Sequence, residues 1–122
     1  MDTFSWIEYF AGSPAGESAR SYIESGGSFT PTIVLAEFTD KYTRENLDPR
    51  QRLRFLKTIS ALAPLDEDTA ELAGKISAER RPQVKGWGLV DSIMLATARV
   101  RKMKVVTGDE HFRDLPEAIM IK

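Results

Sequence analysis

The 122 residues suit one domain, and a composition that is 42% hydrophobic and 29% charged, with Leu, Ile, Val and Ala spread throughout, supports a buried core and excludes a disordered chain. Cysteine is absent and His111 is the one histidine, which rules out disulfides, zinc–thiolate centres, cysteine nucleophiles and multi-histidine metal sites. The formal charge of −1 lacks the overall basic excess that binding to a nucleic-acid backbone normally uses, yet seven basic residues and a single acid, Asp91, lie between Arg80 and Lys104.

No apolar run approaches the ~20 residues of a membrane helix, and Met1-Asp2-Thr3 lacks the basic-then-apolar start of a signal peptide. The expectation is a cytoplasmic protein with no membrane partner. Along the chain, Ser5 to Phe10 is apolar-rich and ends at Gly12; Ser13-Pro14 then caps and opens a helix to about Glu24, closed by Gly26-Gly27. Ser28 and Phe29 read as a short strand, and Thr30-Pro31 as the start of a helix that carries Ile33, Val34, Phe38 and Tyr42 and frays near Asn46. Asp48-Pro49-Arg50-Gln51 resembles a capping box ahead of a helix to about Ala61, with Leu53, Leu56, Ile59 and Leu62 at helical spacing.

Ala63-Pro64-Leu65 reads as a strand, and Asp66 to Asp68 place acids where a helix N-terminus favours them, opening a helix to about Arg80. A loop over Pro82 to Gly88 leads to a helix from about Leu89 to Lys102; Lys104 to Thr107 and Ala118 to Ile121 read as the last strands. Short strands alternating with helices predict an α/β domain with a parallel sheet. The pattern also calls for a strand ahead of Asp2, whose residues these 122 do not include, so the first strand reads as truncated.

With histidine and cysteine nearly excluded, the eighteen carboxylates carry the chemistry. Four stand where open α/β sheets build sites, beyond strand ends and at neighbouring helix starts. Asp2 would follow the first strand, Glu37 lies among the apolar residues of Thr32 to Phe38, Asp91 sits in the first turn of its helix, and Asp109 follows the strand ending at Thr107. The apolar neighbours of Glu37 predict a largely buried helix, where an unpaired carboxylate is costly, with Lys41 as a local partner at the next turn.

These segments resemble the PIN domain, and within it the VapC toxins of toxin–antitoxin modules. The matching residues are Asp2-Thr3, Glu37, Asp91 with Ala96-Thr97-Ala98, and Thr107-Gly108-Asp109 with Phe112, in family order and over nearly the whole chain. The departures are the missing first strand and His111, where some relatives carry a further acid. The resemblance implies a single three-layer α/β/α domain over residues 1–122, a magnesium- or manganese-dependent endoribonuclease whose metal ligands and catalytic residues are Asp2, Glu37, Asp91 and Asp109. It also implies a homodimer and a VapB-like antitoxin that occludes the acidic pocket.

The chemistry agrees with the residue types. Grouped carboxylates repel unless some are protonated or a cation is bound. Magnesium takes oxygen ligands at about 2.0 to 2.1 Å and keeps several waters, so a few carboxylates and a phosphate oxygen suit it. Such a cation activates water for in-line attack on phosphorus, and a second one stabilises the departing oxygen. Thr107 and Ser5 are candidates to orient a carboxylate or a water, and Arg80, Arg81 and Lys85 for a basic rim that steers RNA.

The plainer readings make Asp91 a helix cap, Asp109 a turn residue, Asp2 a solvated terminus, His111 a surface or capping residue, Arg80, Arg81 and Lys85 a solvated face, and Trp6, Tyr9 and Phe10 core or dimer packing. Rival functions are a PIN nuclease of RNA processing, a receiver-like signalling module, and a catalytically silent domain that binds RNA or protein. The receiver reading needs an acidic pair after the first strand and a lysine after the fifth, and neither is in place.

Overall fold

The computed structural model describes all 122 residues. Six helices alternate with four short strands: α1 (Thr3–Ala11), α2 (Pro14–Glu24), β1 (Phe29–Pro31), α3 (Ile33–Arg44), α4 (Arg50–Ile59), β2 (Ala61–Ala63), α5 (Glu67–Arg80), α6 (Leu89–Arg101), β3 (Val105–Thr107) and β4 (Ala118–Met120), with a 3₁₀ turn over Glu110–Phe112. All strand pairing is parallel, as the alternation predicts. β1 pairs with β2, Thr30 opposite Leu62, and β3 pairs with β4, Val106 opposite Ile119.

The two strand pairs do not bond to each other directly, and the chain start bridges them. The Met1 amino group donates to the Phe29 carbonyl at 3.0 Å, and the Asp2 N–H donates to the Val106 carbonyl at 3.3 Å. Burial of Met1 pulls its amine down to about 6, against the opposing pull of the Asp2 charge. Beside it opens a cleft of about 450 Å³ lined by Phe29, Met103, Val106 and Ile119 among others. This bridge fixes where Asp2 stands relative to β3.

Four local expectations are corrected. Thr30 and Pro31 belong to β1, and α3 begins only at Ile33. Proline lacks an N–H but tolerates a strand edge, so it ends β1 here instead of opening a helix. Asp48 makes no capping box: its carboxylate takes the Arg50 main-chain N–H and guanidinium, which holds it down at about 2, and α4 starts behind Pro49 without a side-chain cap. β2 runs over Ala61–Ala63, two residues earlier than Ala63-Pro64-Leu65, because parallel pairing to β1 decides the register. Glu37 is exposed, and Lys41 pairs with Glu45. The apolar stripe of α3 is Val34, Phe38 and Tyr42, and Glu37 falls on the other side.

The core joins the layers through aromatic side chains. Trp6 is fully buried, stacks on Phe10 at 5.9 Å, and donates its indole N–H to the Thr30 hydroxyl, which shares a 2.7 Å hydrogen bond with Ser60. A buried indole N–H without that partner would cost about 1–3 kcal/mol, so this chain of polar groups ties α1 to β1 and to the residue ahead of β2. Phe38 and Tyr42 stack at 4.3 Å on α3, and Phe10 meets Phe38 edge-on. The aromatic stretch of α1 is therefore core, as its spacing suggests.

α1 and α2 approach so closely that Gly16 has no room for a side chain; a Cβ there would lie 2.0 Å from the Glu8 carbonyl oxygen. Alanine normally favours a helix over glycine by about 1 kcal/mol. Here the obstacle is backbone, so Gly16→Ala should destabilise, by about 1–3 kcal/mol. Chemical denaturation would measure it, and a variant as stable as the wild type would show that the two helices are free to part.

Candidate metal centre

Four segments bring their acids to one cavity of about 460 Å³, lined by Asp2, Thr3, Phe4, Glu37, Val90, Asp91, Met94, Asp109 and Phe112. Three of the acids begin helical segments. Asp2 is the N-cap of α1, and its Oδ1 accepts the Ser5 N–H at 2.9 Å and the Ser5 hydroxyl at 2.7 Å. Asp91 lies in the first turn of α6, where its Oδ2 accepts the Gly88 N–H at 2.8 Å. Asp109 caps the 3₁₀ turn through the His111 N–H at 2.9 Å. Capping uses one oxygen of each carboxylate on these backbone donors, and Asp91 and Asp109 keep a second oxygen for the cavity. Glu37 comes in from α3 and accepts the Thr3 hydroxyl at 2.5 Å.

Capping therefore does not use up these carboxylates. Asp2 is half-buried and capped, not a solvated terminus. Its burial raises its pKa, while the hydroxyls of Ser5 and Thr107 partly restore the carboxylate. Ser5 also donates to the Val106 carbonyl at 2.9 Å, and the Thr107 hydroxyl accepts the Asp109 N–H at 2.9 Å. Asp91 is likewise pushed up, first by burial and then by the neighbouring Asp109 and Glu37 charges, against the Gly88 N–H and His111. The starts of α1 and α6 favour these anions, and a cation would offset the repulsion that remains between Asp91 and its acidic neighbours.

His111 is closer to the acids than a surface reading allows. One ligand atom each from Asp91, Asp109 and His111 lies within 4.8 Å of the others, while Asp2 and Glu37 stand outside this group on the same cavity. Of the wall residues, Phe112 belongs to the motif that carries the resemblance, and Met94 has no signal that marks it in advance. Phe4 could have been suspected from its place two residues after Asp2, and Gly108 confirms it: a Cβ there would lie 2.1 Å from the Phe4 ring.

The three basic residues separate. Arg81 and Lys85 are exposed. Arg80 is only 13% exposed; its guanidinium lies 4.3 Å over the Trp87 ring and donates to Asp114 and to the His111 carbonyl, which holds the Asp114 carboxyl low.

The PIN domain model matches residues 1–118, so the chain belongs to the PIN domain family, whose members are nucleases that use divalent metals. Among solved structures, a toxin–antitoxin complex from Klebsiella pneumoniae is similar in fold: the match covers 99% of this chain and 95% of that one, with a TM-score of 0.77 and 20% sequence identity. No curated protein matches the chain significantly.

The raised Asp91 pKa sets a test in the absence of metal. An acid whose folded-state pKa lies above its unfolded value weakens the fold as pH rises from the ordinary 3.8 through the raised value. In chelator at neutral pH, Asp91→Asn should therefore melt at or above the wild-type temperature, and the difference should close as pH falls towards 3.8. Thermal melts across pH would check this; a variant less stable at neutral pH would make the Gly88 cap the dominant role of Asp91.

Proposed function

We propose that this protein is a metal-dependent endoribonuclease that acts as the toxin of a toxin–antitoxin pair, with Asp2, Glu37, Asp91 and Asp109 as its metal ligands and catalytic residues. The observation that carries the reading is the convergence of these four acids, from four separate segments, on one cavity. A divalent cation of the magnesium or manganese type fits there: the donors are oxygens, Asp91 and Asp109 each keep one uncapped, and the cavity has room for waters and a phosphate group. Bound there, the cation supplies Lewis acidity and a more acidic water for attack on a phosphodiester.

The chain's own residues do the rest. Backbone caps and the hydroxyls of Ser5, Thr3 and Thr107 hold the carboxylates in place, so little reorganisation is needed when substrate enters. Phe4, Met94 and Phe112 form an apolar wall beside the acids. Arg80, Arg81 and Lys85 form the basic rim towards RNA. Exposed Arg81 and Lys85 make the direct phosphate contacts, and Arg80, engaged with Trp87 and His111, orders the loop that carries Lys85.

The similarity in fold to a chain of a toxin–antitoxin complex supports an antitoxin partner that covers the cavity. Exposed apolar side chains such as Tyr22, Phe55, Leu89 and Val100 supply surface for that partner and for a second copy in a homodimer. No helix is long and apolar enough to cross a membrane.

Glu37→Gln and Asp91→Asn should each lower metal-dependent cleavage of a mixed RNA pool by about 100-fold or more, since even residues behind metal ligands often cost 10–100-fold. Both should stay folded by circular dichroism. Full activity in either folded variant would remove the four-acid site. Induced expression of the wild type should arrest bacterial growth and Asp91→Asn should not; cleavage in vitro without arrest would leave a nuclease that is not a toxin.

Replacing Arg81 and Lys85 together should raise the RNA concentration needed for cleavage without changing the maximal rate. The salt dependence of binding should flatten by about 0.7 per lost contact to single-stranded RNA. An unchanged slope would assign both to a solvated face.

A further inference from the structure

His111 brings the one imidazole of the chain to the edge of the acid cluster. Its Nδ1 is shielded from solvent and lies 2.6 Å from Asp109 Oδ1, but no well-aligned hydrogen bond forms there, and the same oxygen accepts the main-chain N–H of His111 at 2.9 Å. A buried imidazole nitrogen with no hydrogen-bond partner is costly unless something else takes its lone pair. Ligands at about 2.1 Å from an octahedral cation stand about 3 Å apart when neighbouring and about 4.2 Å apart when opposite, and one ligand atom each from Asp91, Asp109 and His111 lies within 4.8 Å of the others.

The ring is held in this attitude from behind. A Cβ at Gly86, whose φ is +86°, would lie 2.7 Å from Nε2, so the imidazole rests against a backbone that only glycine leaves open. The Arg80 guanidinium donates to the His111 carbonyl at 2.9 Å and stacks on Trp87, the residue after Gly86. Ring and main chain are thus positioned from the side away from Asp109.

We infer that His111 is a further ligand of the metal centre, giving with Asp91 and Asp109 a mixed nitrogen–oxygen set that favours manganese and later transition ions over magnesium. The inference rests on the metal-site reading of the cavity. An imidazole nitrogen suits transition ions, whereas magnesium prefers oxygen donors alone, so His111 sets which cation the site selects. A neutral ring offers Nδ1 as donor when Nε2 carries the proton.

His111 is the single histidine, which makes the test direct. Wild-type protein loaded with manganese should show nitrogen modulation in pulsed electron paramagnetic resonance, and protein labelled with ¹⁵N-histidine should convert that signal to the ¹⁵N pattern without any substitution. By calorimetry, His111→Gln should weaken manganese binding about 10-fold or more and change magnesium binding by less than about 2-fold, an effect scaled on other changes around metal sites. Manganese bound with no histidine nitrogen signal would overturn this inference and leave an all-carboxylate site. No manganese binding by the wild type, at millimolar metal, would overturn the metal-site reading itself and this inference with it.

Discussion

Carboxylates that meet across a cavity repel, and the structure depends on how it offsets that repulsion. Asp2, Asp91 and Asp109 each hold a backbone N–H at the start of a helical segment with one carboxylate. Cap and cavity acid are thus one residue, and the helix that a cap starts is also the element that aims the carboxylate. The partial positive charge of α1 and α6 at their N-termini lies on the anionic side. This offset is incomplete, since burial still pushes Asp2 and Asp91 towards protonation, and the remaining imbalance is what a cation relieves.

The same coupling explains what could be read from the sequence. The convergence of Asp2, Asp91 and Asp109 on one cavity was legible because it follows from local positions, at helix starts and strand ends. The helices from Pro14, Glu67 and Leu89, and the strands at Val105 and Ala118, followed from period and punctuation, which are local. Errors fell where a distant partner decides. Thr30 and Pro31 look like a helix start until β2 pairs with them, and Asp48 looks like a cap until Arg50 takes its carboxylate. Ala63-Pro64-Leu65 was read two residues late because register is set across strands, not along one.

Glu37 and His111 show the limit more sharply. Apolar neighbours suggested a buried Glu37, but on a helix adjacent residues face different ways, and the side chain reaches the cavity from an exposed position beside Thr3. Nothing near His111 in the chain announces that Gly86 and Arg80 come to rest behind it. The family, with its nuclease chemistry, was legible from four short segments in order. The side chains between those segments that shape the cavity required coordinates.

The burial of Met1 links two surfaces that share no side chain. Its amine sits between β1 and β3, bonded to the Phe29 carbonyl, with the apolar cleft alongside. Met1 lines that cleft and Asp2, the next residue, lines the acidic cavity, so a small apolar molecule wedged against Met1 would reach the carboxylate of Asp2 through a single peptide unit.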